Sequence, residues 1–256
     1  MPALLARVQP VKYMGGKARI AKHIVPIMTA NRKPGQYFVE PFCGGCNVTS
    51  AVDGPRIAND VNAYIIAFWK RFVCTDWQPP RVSKYEWQLV KSLPFVFDPA
   101  FVGWVGIGCS YAGLFFGGYS GVTKKKTGVV KDYQQETLNV VNKQREKLRG
   151  VEFHAGEYWR LDKLMPEESI VYADPPYAGV ANYKASTFDS IAFWKWARRL
   201  SERGHTIFVS EYAAPKDFVC VWEKELARKL YPNAHASSKY VTLRQAVMVE
   251  RLFVPR

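Results

Sequence analysis

Residues 171–177, Val-Tyr-Ala-Asp-Pro-Pro-Tyr, set an acid, two prolines and an aromatic directly behind an apolar run that reads as a buried strand. The prolines remove two N–H donors and stiffen the turn, so the Asp174 carboxylate and the Pro175 carbonyl stand as acceptors with little conformational freedom. An amino group suits such a pair. Tyr177 adds a flat face on which a planar base can stack, a contact worth ~1–3 kcal/mol in single-strand binding systems. The competing reading is a rigid strand-to-helix turn whose aspartate caps the next helix.

A second group of residues lies upstream. "YFVEPFCGGCNV" reads as a short strand, a turn at Gly44 and Gly45, and a helix start near Asn47. Glycines let backbone approach a ligand closely, and a helix N-terminus offers free N–H groups. "RIAND" gives the next strand, ending at Asp60, sixteen residues beyond Gly44. An acid there is placed to accept hydrogen bonds from ribose hydroxyls. The dinucleotide fingerprint G-x-G-x-x-G is absent, which disfavours a nicotinamide oxidoreductase.

The elements that must position these residues follow from the pattern. Helical runs are expected in "AYIIAFWKRF" and in "FDSIAFWKWARRLSERG", which stops at Gly204; further strands are expected in "VEFHAGEYWRL", "SIVYADPPY" and "HTIFVSEY". "KYVTLRQAVMVERLFV" reads as a closing strand or hairpin. Alternating strands and helices imply an α/β fold with a mostly parallel sheet and ligands at the carboxyl ends of its strands. Glu40, Asp60, Glu157, Asp174 and Glu211 all fall there. Between residues 72 and 149 the alternation breaks down, and this net basic stretch, with eleven Lys and Arg against six Asp and Glu, reads as an inserted module. The expected division is a catalytic domain of 1–71 and 150–256 around a 72–149 insertion.

Across 256 residues, Lys and Arg number 36 and Asp and Glu 22, a formal charge of +14. That balance points to a polyanion, and nucleic acid is preferred to a membrane surface because no lysine-rich amphipathic helix or lipidation signal is present. The uncharged stretch 99–123 is long enough for a span, but its many glycines argue for an irregular aromatic-rich segment. The opening "MPALLARVQP" does not read as a signal peptide, and a cytoplasmic location is expected. Five cysteines in a chain this long suggest reduced thiols, with Cys43 and Cys46 lining a tight turn.

Taken in order, "VKYMGGK", Glu40-Pro41-Phe42 with Gly44-Gly45, and Asp174 to Tyr177 resemble the Dam-type, class D12 N6-adenine DNA methyltransferases, from about residue 11 to 254. The glycine-aromatic stretch and "VSEYAAPKDFVCVW" look like phage-borne members. The resemblance implies a Rossmann-like S-adenosylmethionine-dependent methyltransferase sheet with an inserted DNA target-recognition module. It places Lys12, Tyr13, Gly16, Glu40, Phe42, Gly44, Asp60, Glu157, Tyr158 and Asp174 at the cofactor. Asp174, Pro175, Pro176 and Tyr177 become the catalytic motif. The family pattern Phe-x-Gly-x-Gly stands here as Phe42-Cys43-Gly44-Gly45-Cys46, with cysteine at the second glycine.

The reaction so implied is a direct in-line displacement on a flipped-out adenine of double-stranded DNA, without covalent intermediate or metal. Lys17, Lys124, Lys125 and Lys126, with Arg7, Arg19 and Lys22, are the expected phosphate contacts. A monomer is expected. His23, His154, His205 and His235 show no metal-ligand spacing, "GGK" lacks the upstream glycine of a P-loop, and no serine sits in a nucleophile elbow. Two rivals stand: an N4-cytosine or RNA adenine methyltransferase, and a catalytically silent DNA-binding protein.

Overall fold

In a computed structural model, residues 16–124, 127–176, 188–229 and 245–256 are described. Lys12, Tyr13, Tyr177, Lys125, Lys126 and Arg7 lie outside them. The main sheet has seven strands. These are β1 (Phe38–Glu40), β2 (Arg56–Asp60), β5 (Val151–Ala155), β6 (Ile170–Ala173), β7 (Thr206–Ser210), β8 (Phe218–Lys229) and β9 (Gln245–Pro255). Their order is β5-β2-β1-β6-β7-β9-β8, and the first five run parallel while β9 and β8 close the edge as an antiparallel pair. This is the expected Rossmann-like, mostly parallel sheet.

Strand direction reverses its walk between β1 and β6. From β1 the chain proceeds to β2 and β5 on one side, whereas β6 leads to β7 on the other. Open parallel sheets bind ligands in the crevice at such a switch point. Glu40 ends β1 and Asp174 follows β6, so the two acids flank that crevice.

Period-two patterning splits the central strands between two apolar layers. Val39, Val171, Ala173, Ile207 and Val209 face a cluster with α6 (Ser190–Glu202), through Phe193, Trp196, Ala197 and Leu200. Phe38, Ile170, Tyr172 and Phe208 face the other way, against Ile20, and Ile24 and Met28 of α1 (Ala21–Thr29). Asp189 caps α6 by accepting from Ala192 N, and Asn62 caps α2 (Ala63–Cys74) by accepting from Tyr64 N and Ile65 N.

The 72–149 stretch is more ordered than its composition suggests. It holds the end of α2, then α3 (Lys84–Ser92), α4 (Pro99–Gly108), a short hairpin of β3 (Val122–Lys124) and β4 (Val130–Asp132), and α5 (Tyr133–Lys147). The expectation of an irregular segment at 99–123 is corrected over α4, which is helical and buried almost all round. Gly103 explains how: a Cβ there would lie 2.1 Å from the Tyr64 carbonyl oxygen, so glycine lets α4 press against α2. Both helices share one apolar cluster with Ala58, Val151 and Phe153 of the main sheet. Arg56 on β2 ties the end of α5 to the sheet, donating to the carbonyls of Lys147 and Arg149 at 2.6 and 2.9 Å. Among the described residues, no helix is long and apolar enough to cross a membrane.

Candidate active site

The glycine turn after β1 is fastened from three sides. Asp60, at the end of β2, accepts from Gly44 N through one carboxylate oxygen and from Asn62 N through the other, both at 2.9 Å. Asn59, one residue earlier, donates its amide to the carbonyls of Pro41 and Gly156, also at 2.9 Å, and so joins the loops after β1 and β5. Its own carbonyl accepts from Cys43 N at 2.8 Å. From the helices, Trp69 Nε1 donates to the Gly44 carbonyl at 3.0 Å, and Gln144 Nε2 donates to the carbonyls of Gly45 and Cys46 at 2.9 and 3.0 Å. Asn59, Trp69 and Gln144 were not among the residues expected from sequence; their types carry no motif, and only the fold brings them to the turn.

Gly44 adopts φ 42° and Cys46 φ 50°, both in the left-handed region. Glycine takes that conformation freely, whereas cysteine there costs roughly 1–2 kcal/mol. The Cys46 side chain is fully buried, and burial pushes the thiols of Cys43 and Cys46 up from their ordinary value. All five cysteines are free thiols.

Glu40 is buried at 3% exposure. Its Oε2 accepts from Thr49 N at 2.8 Å and from the Thr49 hydroxyl. Burial, with Asp174 and Asp60 adding negative charge nearby, raises its carboxyl to about 8 even against the Thr49 bonds. Asp60 is raised too, by burial, with the Asn62 and Gly44 N–H groups pulling the other way. Glu211, the acid after β7, is buried and accepts from Tyr212 N.

Phe42 and Tyr158 meet in an aromatic group beside the turn. Their ring centroids lie 5.4 Å apart, and Phe42 also packs on Phe188 and Phe193 at 6.0 and 5.9 Å. Phe188 is a further member that sequence reading missed. Glu157, just before Tyr158, is exposed at the mouth of β5. Gly16 is exposed as well, and introduces the short 3-10 turn Lys17–Arg19.

Pro175 is buried while Asp174 and Pro176 are half-buried at the end of β6. Lys17, expected on a phosphate-tracking stripe, sits elsewhere: it is 6% exposed, with its ammonium 2.9 Å from Asp174 Oδ1 and 3.6 Å from Glu250 Oε2 on β9. A lysine this buried is enclosed by its carboxylate partners and does not face solvent. Arg19, Lys22 and Lys124 are exposed. Among the described residues no cluster of three metal-ligating side chains occurs.

Two solved structures are similar in outline. One is TrmN from Thermus thermophilus, 12% identical, with 93% of this chain and 48% of that chain aligned at a TM-score of 0.40, so this chain spans about half its length. The other is precorrin 8W decarboxylase of Methanobacterium thermoautotrophicum, 11% identical, with 97% of this chain and 100% of that chain aligned at 0.40. Neither likeness is close enough to speak to chemistry. Sequence is more specific: residues 13–90, which hold the glycine turn, Glu40 and Asp60, match the D12 class N6 adenine-specific DNA methyltransferase family, and in that part of the chain the resemblance read from the sequence is shown.

Proposed function

We propose that the protein transfers a methyl group from S-adenosylmethionine to N6 of adenine in double-stranded DNA. The observation that carries this reading is the placement of Asp174 and Pro175 at the β1/β6 switch point, together with a glycine turn after β1 that Asp60 and Trp69 hold by hydrogen bonds. The donor set fits the cofactor. A ligand with a ribose and a flat base is matched by the strand-end acid Asp60 and by the aromatic group of Phe42 and Tyr158, and Glu40 meets the cationic end once it gives up its proton. Each Asp60 oxygen holds one N–H and keeps a second lone pair for a ribose hydroxyl. Lys12, Tyr13, Gly16, Gly44 and Glu157 complete the expected cofactor contacts. When bound, the cofactor supplies a methyl group already electrophilic on its sulfonium.

What the chain must do is hold the acceptor. The N6 amino group donates to the Asp174 carboxylate and the Pro175 carbonyl, and Tyr177 stacks on the base. Both acceptors orient the nitrogen lone pair and stabilise the positive charge that develops on it, so positioning and electrostatics carry the catalysis. Extruding the base from a duplex takes a few kcal/mol of unstacking. In this reading residues 72–149 form the target-recognition module, and Lys124, Lys125 and Lys126 with Arg19 and Lys22 track phosphates.

The test is transfer of labelled methyl from S-adenosylmethionine to unmethylated duplex DNA, followed by digestion to nucleosides. Labelled N6-methyladenine is expected. Labelled N4-methylcytosine, or transfer to RNA alone, would overturn the substrate; DNA binding without transfer would point to the silent binder. Asp174→Ala is expected to abolish transfer in this assay while largely sparing cofactor binding measured by calorimetry, and loss of both together would undo the role given to Asp174.

A further inference from the structure

We propose that Lys17 is a positioning residue for the transfer site, holding the Asp174 carboxylate in one orientation while Glu250 gives the lysine a second anchor. The inference rests on the reading of Asp174 as the acceptor of the amino group. Three elements distant in sequence meet here: the turn before α1, the end of β6 and the antiparallel strand β9. The ammonium lies 2.9 Å from Asp174 and 3.6 Å from Glu250, and the three side chains are 6%, 15% and 10% exposed.

A purely structural role does not require charge at this place. The neighbouring positions in the same layer, Tyr172 on β6 and Leu252 on β9, are fully buried and belong to the apolar cluster under α1. Burying an ammonium and two carboxylates among them is expensive, and such an arrangement adds little to stability over apolar residues of the same volume. Its distinguishing property is direction. Two carboxylates hold the ammonium, and the held ammonium fixes Asp174 Oδ1 at the mouth of the crevice.

The electrostatic consequence can be read from the groups around the pair. Asp174 lies near Glu40 of β1, Tyr172 of β6 and Lys17, and the lysine in turn faces Glu250 of β9 and Tyr212. Without the ammonium, Asp174 would lose its 2.9 Å ion pair while the carboxyls of Glu40 and Glu250 stay in the neighbourhood. Burial and like charge both favour the protonated acid, which cannot accept from an amino group as a carboxylate does. Removing Glu250 as well takes away one repelling charge. Lys17→Met is therefore expected to be worse than the double change Lys17→Met/Glu250→Gln, an ordering that loss of packing does not produce.

The direct test is a titration of Asp174 by NMR of 13C-labelled aspartate carboxyls, assigned by the signal missing in Asp174→Asn. Lys17→Met should move the Asp174 titration to higher pH, and the double variant should move it part of the way back. Steady-state transfer to duplex DNA follows the same variants. Lys17→Met should lower kcat on the order of 10²-fold with little change in KM, the loss expected of a misplaced catalytic group, and should shift the acid limb of the kcat profile upward. Lys17→Arg should retain more activity than Lys17→Met. An Asp174 titration unmoved in folded Lys17→Met, or a double variant no better than the single one, overturns the proposal. If the wild-type protein transfers no methyl to any nucleic acid, the proposed function falls, while the titration still decides what Lys17 does to Asp174.

Discussion

Glu40→Gln separates the stability of the fold from the charge stored in the site. The wild-type carboxyl is raised from the ordinary 4.5 to about 8, first by burial and then by Asp174 and Asp60. Between those values the folded chain binds a proton that the unfolded chain has lost. Stability contributed by the neutral acid is therefore present below pH 4.5 and declines as pH rises toward 8. At ~1.4 kcal/mol for each tenfold change in proton affinity, the loss at alkaline pH is at most about 5 kcal/mol. Local relaxation lowers that figure, and about 2–5 kcal/mol is the working range. Glutamine keeps a carbonyl oxygen for Thr49 N and its hydroxyl, and carries no charge at any pH. Thermal unfolding of both proteins from pH 5 to pH 9 is the assay. At pH 5 the variant should match the wild type or fall slightly below it. At pH 9 it should melt higher by about 5–15 °C, using ~2–4 °C per kcal/mol for a domain of this size. A difference in Tm that is the same at both ends of the range would refute the reasoning, because only titration of Glu40 makes it grow with pH.

Three other changes probe the turn and the surface. Asn59→Ala removes the amide that bridges the buried carbonyls of Pro41 and Gly156; it should destabilise by about 2–4 kcal/mol in denaturant unfolding and weaken S-adenosylmethionine binding measured by calorimetry. Cys46→Gly relieves the φ 50° backbone but gives up a fully buried side chain; these oppose each other at roughly 1–2 kcal/mol apiece, so unfolding free energy should change by less than about 1 kcal/mol. Changing Lys124, Lys125 and Lys126 together to glutamine should weaken DNA binding evenly across sequences and flatten its dependence on salt, by up to about three in the logarithmic slope, and an unchanged slope would put these lysines off the DNA.

The parts of this fold that declare themselves in sequence are those whose signal is local. β6 is an apolar run stopped by an acid, β2 is a short segment that ends on one, and α6 repeats its apolar residues at helical spacing between a capping aspartate and Gly204, so their position and their strand-end acids follow from the chain alone. What escapes is set by partners far away in sequence. α4 is apolar on every side because it is packed between α2 and the rest of its cluster, and a helix buried all round has no polar face to betray its period. β8 is half-exposed at the edge of the sheet, where the charges of Glu223, Lys224 and Glu225 guard it against further pairing and mask its alternation. The same reason governs the site. Asp60 was legible as a strand-end acid, but its grip on Gly44 was not, and Asn59, Trp69 and Gln144 reach the turn from a strand and two helices. Lys17 is the sharpest instance. Beside Arg19 and Lys22 it reads as one more surface cation, and only the return of β6 and β9 to its side turns it inward, onto Asp174 and Glu250. A residue's type states what charge it can carry; which charge it must answer is decided by the sheet order that brings its partners home.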